Sequence, residues 1–198
     1  MTRIVGVLLA AGQGARFGGD KLLAPIAMPS AGAVVNVPIG VAAARNLIDA
    51  IPDSIAVVRP RDAQLATHFS AAGLRVVPCP NAGDGMSATL ACGVAATVDA
   101  DGWIIALGDM PWIAPATIRA VVQALASGAD IVAPSYRGQR GHPVGFSRRH
   151  RDALSALTGD AGARSLIGRN LGRMTWIDVD DVGVLRDVDT RADLDADH

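Results

Sequence analysis

Apolar runs alternate with longer amphipathic stretches along almost the whole chain, and this alternation predicts strands and helices in turn. The apolar runs predict strands over residues 3–9, 54–58, 75–77, 102–107, 130–133, 144–146 and 174–178. The amphipathic stretches predict helices over residues 39–50, 63–72, 86–98, 115–127, 149–157, 163–169 and 191–196. Strands that alternate with helices build βαβ units, so we predict a three-layer, Rossmann-like α/β fold with a mostly parallel central sheet.

Length and composition favour a single domain over residues 1–198. Half of the 198 residues are hydrophobic and only 4% are aromatic, which suits helices packed on a buried parallel sheet. No linker or internal repeat divides the chain. Residues 24–38 are rich in proline, glycine and alanine, so we predict a loop or a short excursion there.

The charge balance and the cysteine count exclude several classes of protein. The net charge is −1, so the chain lacks the basic field that is typical of nucleic-acid-binding proteins. Cys79 and Cys92 fit no zinc pattern, and we interpret them as reduced thiols. No apolar run approaches the roughly 18–20 residues of a membrane span, and the N-terminus lacks the layout of a signal peptide. We therefore expect a cytoplasmic protein that binds neither nucleic acid nor a membrane.

A glycine-rich loop that carries two cations follows the first predicted strand. Its sequence is Leu9-Ala10-Ala11-Gly12-Gln13-Gly14-Ala15-Arg16-Phe17-Gly18-Gly19-Asp20-Lys21. Such a loop brings backbone N–H groups up to phosphate oxygens. It misses the dinucleotide fingerprint G-x-G-x-x-G by one position, and it lacks the Lys and Ser or Thr of a P-loop. We interpret it as a site for a nucleoside triphosphate, with Arg16 and Lys21 as its cations. The alternative is a purely structural corner.

A carboxylate follows the predicted strand 102–107, in the segment Leu107-Gly108-Asp109-Met110-Pro111. Close to a triphosphate, Asp109 is well placed to hold Mg²⁺, which takes one or two carboxylates together with substrate phosphates. The alternative is that Asp109 caps the helix that begins near Pro115.

A second candidate carboxylate lies near the C-terminus, in the segment Arg186-Asp187-Val188-Asp189-Thr190. Asp189 is a candidate second metal ligand. The alternative is that Asp189 or Thr190 caps the last predicted helix.

The segment 80–87 follows the predicted strand 75–77 and opens a helix. Asn81 and Ser87 offer side-chain hydrogen bonds, and Gly85 permits a close backbone approach. The segment is therefore a candidate for contact with a base or ribose. The alternative is that Ser87 or Asp84 simply caps the helix.

Two basic segments are candidates for binding a second, anionic substrate. His142 lies among arginines and glycines in residues 136–144. The alternative is that this segment is a solvated hairpin and His142 is a structural histidine. Arg164 lies in the first turn of a predicted helix, where the helix dipole disfavours a cation. We therefore expect an anionic partner for Arg164, unless Asp160 merely caps this helix.

At this point the motifs resemble those of a known family. The pattern Leu9-Ala10-Ala11-Gly12-x-Gly14-x-Arg16-Phe17-Gly18-x-x-Lys21 resembles the signature loop of the MobA-like nucleotidyltransferases, and Gly108-Asp109-Met110-Pro111 resembles their metal-binding motif. Segments similar to those of the molybdenum cofactor cytidylyltransferase branch are Asn81-x-x-x-Gly85-Met86-Ser87, Arg140-Gly141-His142-Pro143, Gly159-Asp160-x-Gly162-Ala163-Arg164 and Asp187-Val188-Asp189-Thr190. Residues 24–37 depart from the family pattern because they are longer than the compact turn that usually follows the lysine.

The resemblance implies an enzyme that joins CTP to the terminal phosphate of molybdopterin and releases pyrophosphate, with Mg²⁺ as cofactor. It implies catalytic roles for Arg16, Lys21 and Asp109, and a metal held by Asp109 and Asp189. The implied nucleotide contacts are Leu9, Ala10, Ala11, Gly12, Gly14, Arg16, Lys21, Asn81, Gly85 and Ser87. The implied acceptor contacts are His142 and Arg164. A molybdenum hydroxylase or dehydrogenase is the implied protein partner.

Several alternatives stay open from the sequence. The form Ala10-Ala11-Gly12, rather than Ala-Gly-Gly, favours CTP over GTP. An enzyme of the same fold that uses GTP, or that acts on a sugar phosphate, a polyol phosphate or phospholactate, is an alternative. A non-catalytic molybdopterin chaperone is disfavoured by the presence of Lys21 and Asp109. An NAD-binding module is disfavoured by the failed fingerprint.

Overall fold

A computed structural model describes residues 2–12, 14, 16–30 and 32–194. Its strands are β1 (Ile4–Leu9), β2 (Pro25–Ser30), β3 (Ala33–Pro38), β4 (Ser54–Val58), β5 (Arg75–Pro78), β6 (Gly102–Leu107), β7 (Ile131–Tyr136), β8 (Gln139–Arg140), β9 (Val144–Ser147) and β10 (Met174–Asp178). Its α-helices are α1 (Ile39–Ala50), α2 (Ala63–Ala71), α3 (Met86–Ala95), α4 (Pro115–Ala126), α5 (Arg151–Ser155) and α6 (Arg164–Arg169). Short 3₁₀ turns cover Lys21–Leu23, Ala82–Asp84, Arg148–His150, Leu171–Arg173, Val182–Leu185 and Arg191–Leu194.

The main sheet has the strand order β10-β7-β9-β6-β1-β4-β5, with β8 paired to β7. All of its pairings are parallel except those that β9 makes with β6 and β7, and the pairing of β8 with β7. The register aligns Leu9 with Val57 on one side and with Leu107 on the other. The carboxyl ends of three neighbouring strands therefore lie level with one another, and the loops that follow them share one edge of the sheet.

Helices cover both faces of the sheet, which confirms the three-layer α/β prediction. Alternate residues of β1 belong to different cores, as the two-residue period of a strand requires. Val5 and Val7 pack with the cluster that includes α3, α5 and α6, whereas Leu8 packs with the cluster that includes α1, α2 and α4. Among the described residues, no helix is long and apolar enough to cross a membrane.

Of the two alternatives predicted for residues 24–38, the structure has the short excursion and not the loop: β2 and β3, which were not predicted as strands, form a separate antiparallel hairpin there. Pro25 and Pro29 argue against a strand, since proline cannot donate to a ladder, but a two-stranded sheet leaves an open edge that tolerates it. The hairpin is anchored at its base by the buried side chains of Ile26 and Val37. Farther out along the hairpin, Val34 is 73% exposed.

The ends of several helices also differ from the sequence prediction. The predicted helix 149–157 divides into a 3₁₀ turn and the short α5. The predicted helix 191–196 is a 3₁₀ turn over Arg191–Leu194, and residues 195–198 lie outside the described residues.

Ala114 is the N-cap residue of α4, and the carboxylate that binds this end of the helix is that of Asp181 and not that of Asp109. Asp181 Oδ2 accepts hydrogen bonds from Ala114 N (2.9 Å) and Thr117 Oγ1 (2.6 Å), and its Oδ1 accepts one from Gly183 N (3.0 Å). One carboxylate therefore links the start of α4 to the C-terminal segment. The alternative that Asp109 caps this helix is excluded.

We expect Asp181→Ala to lower the free energy of unfolding by roughly 1–3 kcal/mol, because three donors lose their acceptor at once. Chemical denaturation monitored by circular dichroism measures this loss. Asp180→Ala is the matched control, since Asp180 is its exposed neighbour. Equal losses in the two variants would contradict a stabilising role for the hydrogen bonds that Asp181 accepts.

Candidate active site

A cavity of about 820 Å³ lies at the carboxyl edge of the sheet. Its walls come from the glycine loop after β1, the loop after β4, the loop after β5 with the start of α3, and the side chains of Asp109 and Asp189. In a parallel sheet, ligands bind at this edge. The volume is within the range of small-molecule sites in proteins.

The glycine loop folds into a tight turn that delivers Lys21 to the cavity. Gly14 has a φ of +59°, and a Cβ at this position would lie 2.9 Å from the carbonyl oxygen of Gly19. Phe17 N donates to Gly14 O (3.0 Å), and Lys21 N donates to Gly19 O (2.7 Å). The Phe17 ring is buried and anchors the loop. Gln13 and Ala15 lie outside the described residues.

Four of the residues singled out from the sequence meet in one ion-pair cluster. Lys21 Nζ lies 2.7 Å from Asp109 Oδ2 and 3.4 Å from Asp189 Oδ1. Arg16 Nη1 lies 2.7 Å from Asp189 Oδ2. The Lys21 side chain is only 12% exposed, whereas that of Arg16 is 79% exposed. The lysine thus lies inside the cluster, and the arginine closes it on the solvent side.

Asp189 uses its side chain in this cluster and does not cap the last turn. Instead, Asp193 Oδ2 accepts hydrogen bonds from the backbone N–H groups of Asp189 (2.9 Å) and Thr190 (2.6 Å). Val188 N donates to Asp109 O (2.9 Å). The C-terminal segment is therefore fixed from both sides while the Asp189 carboxylate is left for the two cations.

Asp187 is a third carboxylate of this region that the sequence reasoning missed. Burial and the nearby charges of Asp109 and Asp189 raise the pKa of Asp187, and Lys21 partly opposes this effect. The missed signal is the two-residue spacing of Asp187 and Asp189 around the fully buried Val188, because in an extended segment such spacing puts both carboxylates on one side.

The carboxylates fit a Mg²⁺ ion that is shared with a substrate. Asp109 and Asp189 already converge on one cationic group, the ammonium of Lys21. Among the described residues, no set of three or more His, Cys, Asp or Glu side chains forms a complete metal cage. Mg²⁺ is usually bound by one or two carboxylates plus phosphates rather than by such a cage, so this donor set suits it.

The loop after β5 presents Gly85 to the cavity but not Asn81 or Ser87. Asn81 Oδ1 accepts a hydrogen bond from Cys79 Sγ (3.2 Å). Ser87 is fully buried, and its Oγ finds no partner among the described residues. Gly85 is the N-cap residue of α3, and neither Ser87 nor Asp84 caps that helix.

His142 and Arg164 lie outside the cavity wall. Burial and, to a smaller extent, the charge of Arg140 lower the pKa of His142 to about 4, although Asp109 partly opposes them. Arg164 is exposed, and the described residues provide no anionic partner for it. Arg164 lies near a second cation, Arg140. Burial and, to a smaller extent, the charge of Arg164 lower the pKa of Arg140.

The loop after β4 contributes cavity residues that the sequence reasoning did not single out. Arg59 Nε donates to Asp62 Oδ2 (2.7 Å), and both residues line the cavity. Short polar segments after strands are common in any α/β protein, so only the strand order shows that this one faces the glycine loop.

Comparison with known proteins identifies the family. The model of the MobA-like NTP transferase domain matches residues 6–174. The chain belongs to this family. The sequence is 28% identical to the purine catabolism protein PucB of Bacillus subtilis over 97% of this chain and 94% of PucB.

Solved structures agree with this membership. Rv0371c of Mycobacterium tuberculosis is 28% identical, with a TM-score of 0.78 over 97% of this chain and 95% of that one. A structure of Rv0371c in complex with manganese is 26% identical in the aligned region, with a TM-score of 0.71 over 99% of this chain and all of the other. The resemblance to MobA-like nucleotidyltransferases is thereby confirmed.

We expect Gly85→Ala to lower the free energy of unfolding by roughly 1–3 kcal/mol. Gly85 has a φ of +105°, and an added Cβ would lie 2.8 Å from the carbonyl oxygen of Gly159. Gly83→Ala is the matched control in the same loop, because no atom lies within 4 Å of its added Cβ. Denaturation of both variants measures the difference, and similar losses would show that Gly85 is not required for this packing.

We expect His142 to make the folded state less stable as the pH falls from 6.5 to 4. The unfolded chain takes up a proton near the ordinary pKa of about 6.5, whereas the folded chain does so only near 4. The unfolded state therefore binds more protons in this window, so stability drops with falling pH. Thermal unfolding between pH 7.5 and 4.5 should show a loss that is smaller in His142→Gln, by up to about 2 kcal/mol. Parallel pH curves for the two proteins would contradict this assignment.

Proposed function

We propose that the protein is a Mg²⁺-dependent cytidylyltransferase that transfers CMP from CTP to molybdopterin and releases pyrophosphate. The observation that carries the proposal is the Lys21 ammonium held between Asp109 and Asp189 at the mouth of the glycine loop. Membership of the MobA-like NTP transferase family supports the transfer of a nucleotide. The motifs that resemble the molybdenum cofactor branch support the acceptor, and the pair Ala10-Ala11 in the loop supports CTP.

In the proposed reaction, an oxygen of the acceptor phosphate attacks the α-phosphorus of CTP in line. The new O–P bond forms as the bond from the α-phosphorus to the bridging oxygen breaks, and pyrophosphate leaves with that electron pair. The attacking oxygen is already ionised at neutral pH, so the reaction needs no general base. Catalysis then depends on positioning and on neutralising the charge of the leaving group.

The residues of the cluster divide these tasks among them. Lys21 and Arg16, with the backbone N–H groups of Gly12 and Gly14, hold the triphosphate and neutralise the pyrophosphate that forms. Asp109 and Asp189 hold Mg²⁺, which would supply charge stabilisation between the phosphates. The structure of Rv0371c in complex with manganese supports a divalent metal as the cofactor.

We assign the nucleoside to the cavity wall formed by Leu9, Ala10, Ala11 and Gly85. Asn81 and Ser87 hold the loop that carries Gly85, since their side chains lie off the cavity wall. We place the acceptor phosphate near His142 and Arg164, where Arg140 adds a second cation. A molybdenum hydroxylase that receives the product is the expected partner, and the cytoplasm is the expected location.

A matrix of nucleotides against acceptors tests the proposal. CTP, GTP, ATP and UTP are each incubated with Mg²⁺ and either molybdopterin, a sugar phosphate, a polyol phosphate or phospholactate, and pyrophosphate release is measured. We expect the CTP and molybdopterin pair to give the highest turnover. Release with another pair would keep the nucleotidyl transfer and reject the assigned substrates, and no release with any pair would reject the enzyme.

In the same assay, Asp109→Asn should lower turnover at least about 100-fold while the protein stays folded, because the metal loses a charged ligand. Asp152→Asn is the control, since the Asp152 side chain is 90% exposed. Turnover in Asp109→Asn close to that of the wild type would reject the metal assignment.

A further inference from the structure

Arg59 and Asp62 occupy the part of the cavity that is away from the ion-pair cluster. Asp109 follows β6, the glycine loop follows β1, and Arg59 follows β4, in the spatial order β6-β1-β4. Neighbouring strands lie roughly 4.8 Å apart, so the strand that leads to Arg59 is about 10 Å from the strand that leads to Asp109. A nucleotide with its phosphates at the cluster would therefore extend its nucleoside toward β4 and β5.

The backbone at this end is fixed by contacts between neighbouring strands. Ala10 N donates to Val57 O (2.9 Å), and Cys79 N donates to Val58 O (2.8 Å). The loop that begins at Arg59 is thus wedged between the glycine loop and the loop after β5. These three loops line the same cavity, so a planar ligand group that enters between the outer two meets Arg59.

Asp62 holds the guanidinium of Arg59 in one orientation. Arg59 Nε donates to Asp62 Oδ2 at 2.7 Å, and the two side chains are only 18% and 14% exposed. This ion pair uses Nε and leaves the two terminal NH₂ groups of the guanidinium outside it. A guanidinium held in one orientation loses less conformational entropy when it binds a ligand than a mobile side chain would.

A guanidinium carries donors only, so it pairs with two acceptors that lie side by side. Cytosine presents such a pair in O2 and N3, and guanine presents one in O6 and N7. Uracil carries a hydrogen on N3, and adenine sets its amino group beside N1 and beside N7, so neither of these ring acceptors has an adjacent second acceptor. A fixed arginine at this position therefore separates cytosine from uracil and guanine from adenine.

We propose that Arg59 reads the nucleobase through a pair of adjacent acceptors, with Asp62 as the residue that positions its guanidinium. The inference rests on the proposed nucleotidyl transfer only in that the ligand is a nucleoside triphosphate. It assigns base selection to the loop after β4. The ligand chemistry is shared by cytosine and guanine, and cytosine agrees with the proposed substrate.

Nucleotide binding without any acceptor tests this inference. The dissociation constants of CTP, UTP, GTP and ATP are measured with Mg²⁺ by calorimetry for the wild type, Arg59→Gln, Arg59→Lys and Asp62→Ala. In Arg59→Gln, the preference for CTP over UTP should fall by roughly tenfold to a hundredfold, as expected for the loss of one bidentate base contact. Arg59→Lys should also lose most of the preference for CTP over UTP, since lysine keeps the charge but lacks the two parallel N–H donors.

Asp62→Ala should fall between the wild type and Arg59→Gln, because it frees the guanidinium without removing it. Arg61→Gln is the matched control, since Arg61 lines the same cavity from an exposed position and takes no part in the ion pair of Arg59 with Asp62. In this control the affinity for all four nucleotides should change by the same factor.

The outcomes of the binding experiment and of the pyrophosphate assay together show whether this inference, the proposed function or both are wrong. A loss of preference for GTP over ATP in the Arg59 variants would support base reading and assign it to guanine. Preferences within twofold of the wild type in both Arg59 variants, or an equal loss in Arg61→Gln, would overturn it. If the wild type binds CTP but releases no pyrophosphate, the proposed function fails while the binding ratios still decide this inference. If none of the four nucleotides binds, both fail.

Discussion

The ammonium group of Lys21 is the interaction on which the rest of the site depends, because it lets two carboxylates share one end of the cavity. Asp109 and Asp189 come from segments 80 residues apart, and each approaches Lys21 Nζ within 3.4 Å. Like charges at such short range repel one another strongly unless a cation separates them. The pKa of Asp187 is raised first by burial and then by the charges of Asp109 and Asp189, so these carboxylates still repel a third one beside the cluster. A metal–triphosphate complex would carry both signs of charge. Its metal ion would pair with the carboxylates of Asp109 and Asp189, and its phosphates would pair with Lys21, so no charge would lose its partner.

The fold delivers this lysine through a close turn and two fixed strand ends. Gly14 takes a positive φ and leaves no room for a Cβ beside the carbonyl of Gly19, so the chain can double back and carry Lys21 inward. The parallel register of β1 with β6 sets Asp109 level with this turn. The hydrogen bond from Val188 N to Asp109 O then holds the neighbouring Asp189 beside Lys21. Packing of the sheet therefore fixes the charges of the site before any ligand binds.

The sequence predicts the parts of this structure that depend on local pattern. Strands β4 and β6 and helix α1 lie where the periodicity places them. Arg16, Lys21 and Asp109 were recognised from their positions after strands, and Asp189 from the segment 186–190 near the C-terminus. The features that escaped prediction depend on contacts between distant segments. Asp181 binds the start of α4 across more than sixty residues, and only the order of the strands sets Arg59 beside the glycine loop. The hairpin β2–β3 was missed because its prolines oppose a strand locally, whereas its anchoring residues Ile26 and Val37 become buried only in the folded chain.

The cations outside the cavity bear on the chemical nature of the acceptor. Arg140 and Arg164 lie close enough for the second to lower the pKa of the first, after the effect of burial. Arg164 also stands at the start of α6, where the helix dipole adds to the repulsion. Such an arrangement costs stability, and sequences keep conflicts of this kind mainly at functional sites. An anionic group bound between these guanidiniums would recover that free energy, which a neutral acceptor would not. If the acceptor binds there, as proposed, this asymmetry in charge favours a phosphorylated acceptor over a neutral alcohol.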